Sequence, residues 1–324
     1  MQTRRACIVS LAALAALGFT RSAQAQGWPQ KPVRIMVPFA AGGNTDIIAR
    51  IVAQRLSQVF GQQFAVENRA GATGALAAEA VARSAADGYT LFLASLPQIA
   101  IVPAMMRTAY DPGKDFAPIS KIGTNPFVLV VHPSLPVRSI SELVEYARGQ
   151  PSKLAYAAAG VGSMTHLAMA MLLKRAGLEM TPIMYKGGAS PLTDVIAGHV
   201  KIYFPNLSAV VPHAASGALR LLGVSSEQRA PQIPDIPTVS ESGFPGFKIL
   251  NWTGLMAPAG TPKEIIDRIA REIVRAVKDP AVAEHLSGEG VDPVGNSPEE
   301  FASQIAADIP LWAEAVKIAG VQEK

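Results

Sequence analysis

Short apolar runs alternating with amphipathic helical segments constrain this chain more than any other feature. "VRIMV" (33–37), "QFAVEN" (63–68), "YTLFLA" (89–94), "FVLVVH" (127–132) and "KLAYAAA" (153–159) read as strands. "TDIIARIVAQRLSQVFG" (45–61), "GALAAEAVARSA" (74–85), "SISELVEYARGQ" (139–150) and "SMTHLAMAMLLKRAG" (163–177) carry helical periodicity. This order predicts an α/β architecture with largely parallel sheets, because a crossover helix returns the chain for each parallel strand. In the C-terminal third, "TPKEIIDRIAREIVRAVKD" (261–279) predicts a helix with Thr261 as cap and Glu264 completing a capping box. "SPEEFASQIAADIPLWAEAVKIAG" (297–320) predicts another, interrupted or kinked near Pro310. The Pro- and Gly-rich stretch 225–247 reads as an irregular crossing between lobes.

Two of these junctions echo each other. "VRIMVPFAAGGNTDIIAR" and "KLAYAAAGVGSMTHLAM" each run strand, Ala-Ala-Gly, a second glycine, a capping residue, then a long helix. A helix that starts directly after a glycine-rich turn presents unpaired N–H groups and the positive end of its dipole, which favours an anion. Two such junctions, one in each half, predict two lobes facing a shared cleft. Asp46, in the first turn, is expected to act as a dipole partner and not as a ligand for an anion.

The N-terminus has the form of a secretory leader. Arg4 and Arg5 precede the apolar run 6–19, and Ala23-Gln24-Ala25 forms a small-x-small cleavage pattern. Cleavage is expected after Ala25, leaving a periplasmic protein; the arginine pair leaves Sec and twin-arginine export both open. Residues 1–25 hold three arginines and no acid, so their removal takes the formal charge from +4 to +1. That near-neutral chain argues against nucleic acid as a partner. The single cysteine, Cys7, lies in the leader, so the remaining chain has no thiol nucleophile and no disulfide.

Catalytic constellations are scarce. The five histidines form no His-Glu-x-x-His pair, so no metal site is expected. "GVGSM" (160–164) lacks the Gly-x-Ser-x-Gly elbow, and "GATGA" (71–75) reads as a turn into a helix and not as a nucleotide loop. An exported α/β hydrolase using Ser163 and His166 is the rival to a binding protein, without an orienting acid at a convincing spacing.

"WPQKPVRIMVPFAAGGNTDIIAR", "VENRAGATGALAAEAVARSAADGYTL", "YAAAGVGSMTHLA", "YKGGASPLTDVIAGHV" and "PTVSESGFPGF", in this order along nearly the whole chain after the leader, resemble the Bug family. These are the substrate-binding proteins of tripartite tricarboxylate transporters. The resemblance implies a periplasmic binding protein of type II, with two lobes, a ligand cleft and a hinge. It implies lobe 1 from residues 26–123 plus 236–324, and lobe 2 from 124–235. It implies a small organic carboxylate as ligand, no cofactor, no enzymatic activity, and a membrane permease or a sensor protein as partner.

The ligand residues implied by the resemblance are Phe39, Ala41, Gly42, Gly43 and Asn44 in the first loop, and Ser95 after the third strand. In the second lobe they are Gly160, Gly162, Ser163 and His166, joined by Tyr185, Gly187 and Asp194. The chain departs from the family pattern at Ala159, where a serine is common, and at Lys201 and Pro205, where acids are common. Loss of those acids argues against an amino acid as ligand.

Overall fold

The computed structural model describes residues 27–322 except Gly43, residues 151–153, Lys186, Gly188 and Ala215. The expected leader and its cleavage point lie outside the described residues. The chain begins with β1 (Val33–Val37), α1 (Asn44–Phe60), β2 (Phe64–Asn68), α2 (Ala75–Ala82) and β3 (Thr90–Ser95). A π-helical turn (Pro97–Ile101) leads into the short α3 (Val102–Met105), and β4 (Phe116–Pro126) follows. Next come β5 (Val128–Val131), α4 (Ile140–Arg148), β6 (Ala155–Ala158), α5 (Met164–Ala176), β7 (Thr181–Met184), α6 (Ala189–Ile196), β8 (Ile202–Tyr203), α7 (Leu207–Ala214) and β9 (Arg220–Val224). The chain ends with β10 (Leu250–Pro258), α8 (Lys263–Ala276), α9 (Pro280–Gly288), β11 (Asp292–Pro293) and α10 (Pro298–Ile318).

Two sheets result, ordered β11-β4-β10-β3-β1-β2 and β7-β6-β8-β5-β9. The expectation of largely parallel sheets is corrected. β1 pairs parallel with β2 and β3, and β6 with β7 and β8. β10, however, runs antiparallel to both β3 and β4, and β5 antiparallel to both β8 and β9. The reason is the route of the chain. β4 leaves the first sheet and β10 returns to it from the second, so the returning strand enters from the opposite end. No strand or helix lies between β9 and β10, in agreement with the irregular crossing read from the sequence.

Strand alternation divides the core. In β3, Leu91 and Leu93 face a cluster with Ile48, Leu56, Ile269 and Ile273 from α1 and α8. Phe92 and Ala94 face the other side, toward Val81, Phe301 and Trp312 from α2 and α10. β5 does the same in the second sheet: Val128 and Val130 pack with Leu192 and Val210, while Leu129 and Val131 join the cluster of Leu167 and Leu172. Both central strands are therefore buried on both faces, which explains their unbroken apolar sequence.

One local expectation about a helix end is corrected. Thr261 does not cap α8, because its hydroxyl donates to the carbonyl of Pro258 and the cap position is Pro262, with no side-chain bond. The capping box lies at α10, where Ser297 and Glu300 bond reciprocally. That helix runs through Pro310 to Ile318 without an interruption, so of the two expectations there the break is set aside.

Candidate ligand cleft

The first glycine junction closes on an anion of its own. Asp46 lies in the first turn of α1 with its side chain 3% exposed. Its carboxylate accepts the Gly42 N–H at 2.9 Å, the Asn68 amide at 2.9 Å and the Arg50 guanidinium at 2.9 and 3.1 Å. Burial alone would raise its pKa, but the bonds from Arg50, Gly42 and Asn68 outweigh it and hold the carboxyl below its ordinary value. Asn68 also donates to the Phe39 carbonyl at 3.0 Å, which fixes the loop as it leaves β1.

The second junction carries no such acid: the first turn of α5 has none. Ser163 caps the helix by accepting the His166 N–H, and its hydroxyl lies 3.0 Å from that of Thr165. Thr165 in turn accepts the Ala159 N–H at 2.9 Å, tying the strand end to the helix. The first intrahelical bond runs from Leu167 to Ser163, so the N–H groups of Met164 and Thr165 precede the hydrogen-bonded ladder. Gly160 and Gly162 have φ of 141° and 68°, conformations that side chains resist.

His166 is a structural member of this turn. It is buried, stacks on Tyr156 at 6.3 Å, and its Nδ1 accepts the Gly162 N–H at 3.2 Å. An accepting Nδ1 places the proton of the neutral ring on Nε2. Burial pushes its pKa down.

Phe39 of the first junction and residues 159–164 of the second face a common cavity of about 350 Å³. Phe39, Thr73, Pro97 and the stretch Ile101, Val102, Met105 and Met106 line it from the first sheet's side, and residues 159–164 from the second's. A larger groove of about 470 Å³ runs between α8 and α10, but it touches none of the predicted site residues and mixes Arg271 and Arg275 with Asp267 and Glu300. The cavity between the sheets is the better candidate because helix α5 begins in its wall.

The profile of the tripartite tricarboxylate transporter family receptor matches residues 48–320. The chain belongs to this receptor family. It is 36% identical to BugT of Bordetella pertussis, over 96% of each protein. Among solved structures, it is similar to an R. palustris protein with adipate, at 37% identity and a TM-score of 0.78, over 90% of this chain and 98% of that one. It is also similar to MatC of Rhodopseudomonas palustris with bound malate, at 31% identity and a TM-score of 0.74, over 89% of this chain and 100% of that one. The receptor is thus a periplasmic solute-binding protein of a transporter and not an enzyme.

The hydrolase alternative finds no support in the receptor's geometry. The Ser163 hydroxyl serves as cap and the His166 Nδ1 is bonded to Gly162, so these side chains do not form a nucleophile–base pair through that atom.

Of the predicted residues, Phe39, Gly160, Gly162 and Ser163 line the cavity. Ala41 and Gly42 are exposed, and Gly42 spends its N–H on Asp46. Asn44 begins α1, and Gly43 lies outside the described residues. Ser95 is buried, and both its N–H and its hydroxyl donate to Gln98 Oε1, at 3.0 and 2.7 Å. Gln98 then donates to the Thr73 carbonyl at 2.9 Å, so Ser95 acts one step behind the cavity wall. Tyr185 donates to Asp194 at 2.6 Å, and Asp194 pairs with His199 at 3.6 Å. Desolvation, with the Asp194 bond, pushes the Tyr185 hydroxyl up to about 12, while the bond from Tyr185 lowers Asp194. The two brace α6 against the end of β7. Gly187, with φ of 98°, is exposed beside them.

Sequence reasoning missed Thr73, Met105 and Met106. "GATGA" reads as a plain turn, yet Ala72 and Thr73 hold φ of 46° and 54° without being glycine. Such strain concentrates at functional sites. It depends on the Gln98 brace from a different segment and left no local signal. The methionines fall in a stretch that the sequence reading assigns to no element.

Proposed function

We propose that this receptor captures a small organic carboxylate in the cavity between its sheets and delivers it to a membrane permease of the tripartite class. The observation that carries the reading is the start of α5: an acid-free helix N-terminus, turned by two positive-φ glycines, forming one wall of the cavity. The relatives with adipate and with malate support a carboxylate as the anion. In this reading lobe 1 comprises 26–123 and 236–324 and lobe 2 comprises 124–235, with β4, which runs across that boundary to Pro126, and its partner β10 as the hinge strands. Phe39, Gly160, Gly162 and Ser163 contact the ligand, while Ser95, His166, Tyr185 and Asp194 hold the walls in place. Cleavage after Ala25 releases the receptor into the periplasm. A sensor protein is a second candidate partner.

A thermal-shift screen of the purified receptor against mono-, di- and tricarboxylates tests this. At least one carboxylate stabilises the receptor and its neutral amide analogue does not. Equal stabilisation by the amide overturns the reading, since a helix N-terminus favours the charge.

A further inference from the structure

We infer that the cleft selects carboxylates with an unbranched methylene body, and that Met105 sets the length of body it accepts. The inference rests on the carboxylate reading above and narrows it to one chemical class. Four observations lead to it. Among the described residues, none that lines the cavity is ionisable, so no described side chain there offers a partner to a second charge close to the first. The polar groups come from the backbone of residues 159–164, Ser163 and Thr73, while Phe39, Ile101, Val102, Val161 and three methionines supply apolar surface.

The third observation is the place of Met105. A Cβ added at Gly162 would collide with the Met105 thioether. Met105 therefore reaches across from the first sheet's side and rests on the loop that leads into α5. A carboxylate held at that helix end has its next carbons beside this side chain. Finally, α3 stops at Met105, and Met106 turns to extended backbone with φ of −146° and ψ of 160°. The two methionines diverge there, so the wall is made of two unbranched, polarizable side chains that can refit to bodies of different length.

The physical consequence is a ranking. Each methylene buried against this wall tightens binding by about fourfold. A hydroxyl or carboxylate one carbon from the bound carboxylate meets the apolar wall without a partner and weakens binding. Straight-chain acids are favoured over compact hydroxy acids.

Titration calorimetry on the receptor tests this with succinate, adipate, suberate, hexanoate, malate and citrate. Adipate and hexanoate are expected to bind at least tenfold tighter than malate and citrate. Met105→Ala is expected to move the optimum from adipate toward suberate, and Met105→Leu, a similar volume with less freedom, to keep the ranking while narrowing it. Thermal melts of both variants check that they fold. Malate or citrate binding as tightly as adipate overturns the inference and leaves the carboxylate reading standing. An unchanged ranking in Met105→Ala removes Met105 from its role. Binding by none of the six probes overturns this inference, and the wider thermal-shift screen then decides the carboxylate reading by itself.

Discussion

The N–H of Gly42 donates to the carboxylate of Asp46, four residues ahead, at 2.9 Å. The helix end that follows β1 is thereby filled from within, and the two glycine junctions, alike in sequence layout, differ in electrostatics. α1 carries its own anion, whereas α5 has no acid in its first turn.

Asp46→Ala is expected to destabilise the receptor by about 2 kcal/mol, since it removes charge-assisted bonds from Gly42, Asn68 and Arg50. Because the folded pKa lies below the ordinary value of 3.8, the stabilisation is present above that value and is lost as pH falls through the folded one. Urea denaturation at neutral pH and near pH 3 should show the gap between wild type and variant shrinking in acid.

His166 is expected to stay neutral below its ordinary value of 6.5, because burial disfavours the charged ring. The unfolded chain takes up the proton first, so stability declines as pH drops below 6.5. Nitrogen-15 NMR of the neutral imidazole, recorded above pH 7, should show the Nε2–H form. An Nδ1–H form there contradicts the bond from Gly162.

Ser163→Ala removes the cap of α5 and should cost about 1 kcal/mol of stability. Affinity for the best carboxylate should fall as well, since the residue lines the cavity. Denaturation and calorimetry on the same preparation separate the two effects. Unchanged affinity moves the ligand away from this helix end.

Gly162→Ala places a side chain at φ of 68° and against Met105. The left-handed conformation alone costs about 1–2 kcal/mol. The collision adds to it, so the loss should be smaller when Met105→Ala is also present. A double-mutant cycle on stability measures that coupling. Strict additivity shows that the two residues do not press on each other.

Helices α1, α2, α4, α5, α8 and α10 and strands β1, β2, β3, β5 and β6 were legible from the order of residues alone, because a strand such as "TLFLAS" buries both faces and α5 ends in a positive-φ glycine, Gly177; the short helices α3, α6, α7 and α9 were not read. Family membership was legible for the same reason: many short motifs recur in fixed order. The antiparallel return of β10 was not, because pairing direction depends on where the chain re-enters the sheet, which no local window contains.

The site divides in the same way. Sequence by itself determined that a glycine turn leads into a helix after both Gly42 and Gly160, with Ser163 as cap of the second, since these are local backbone preferences. Only the tertiary structure decided which of them is open. Asn68 arrives from the end of β2 to complete the shell around Asp46, and Met105 arrives from α3 to rest on Gly162. The strain at Thr73 is held by Gln98, 25 residues away. Each of these is a contact between segments distant in the chain, and its energy exists only once folding has brought them together.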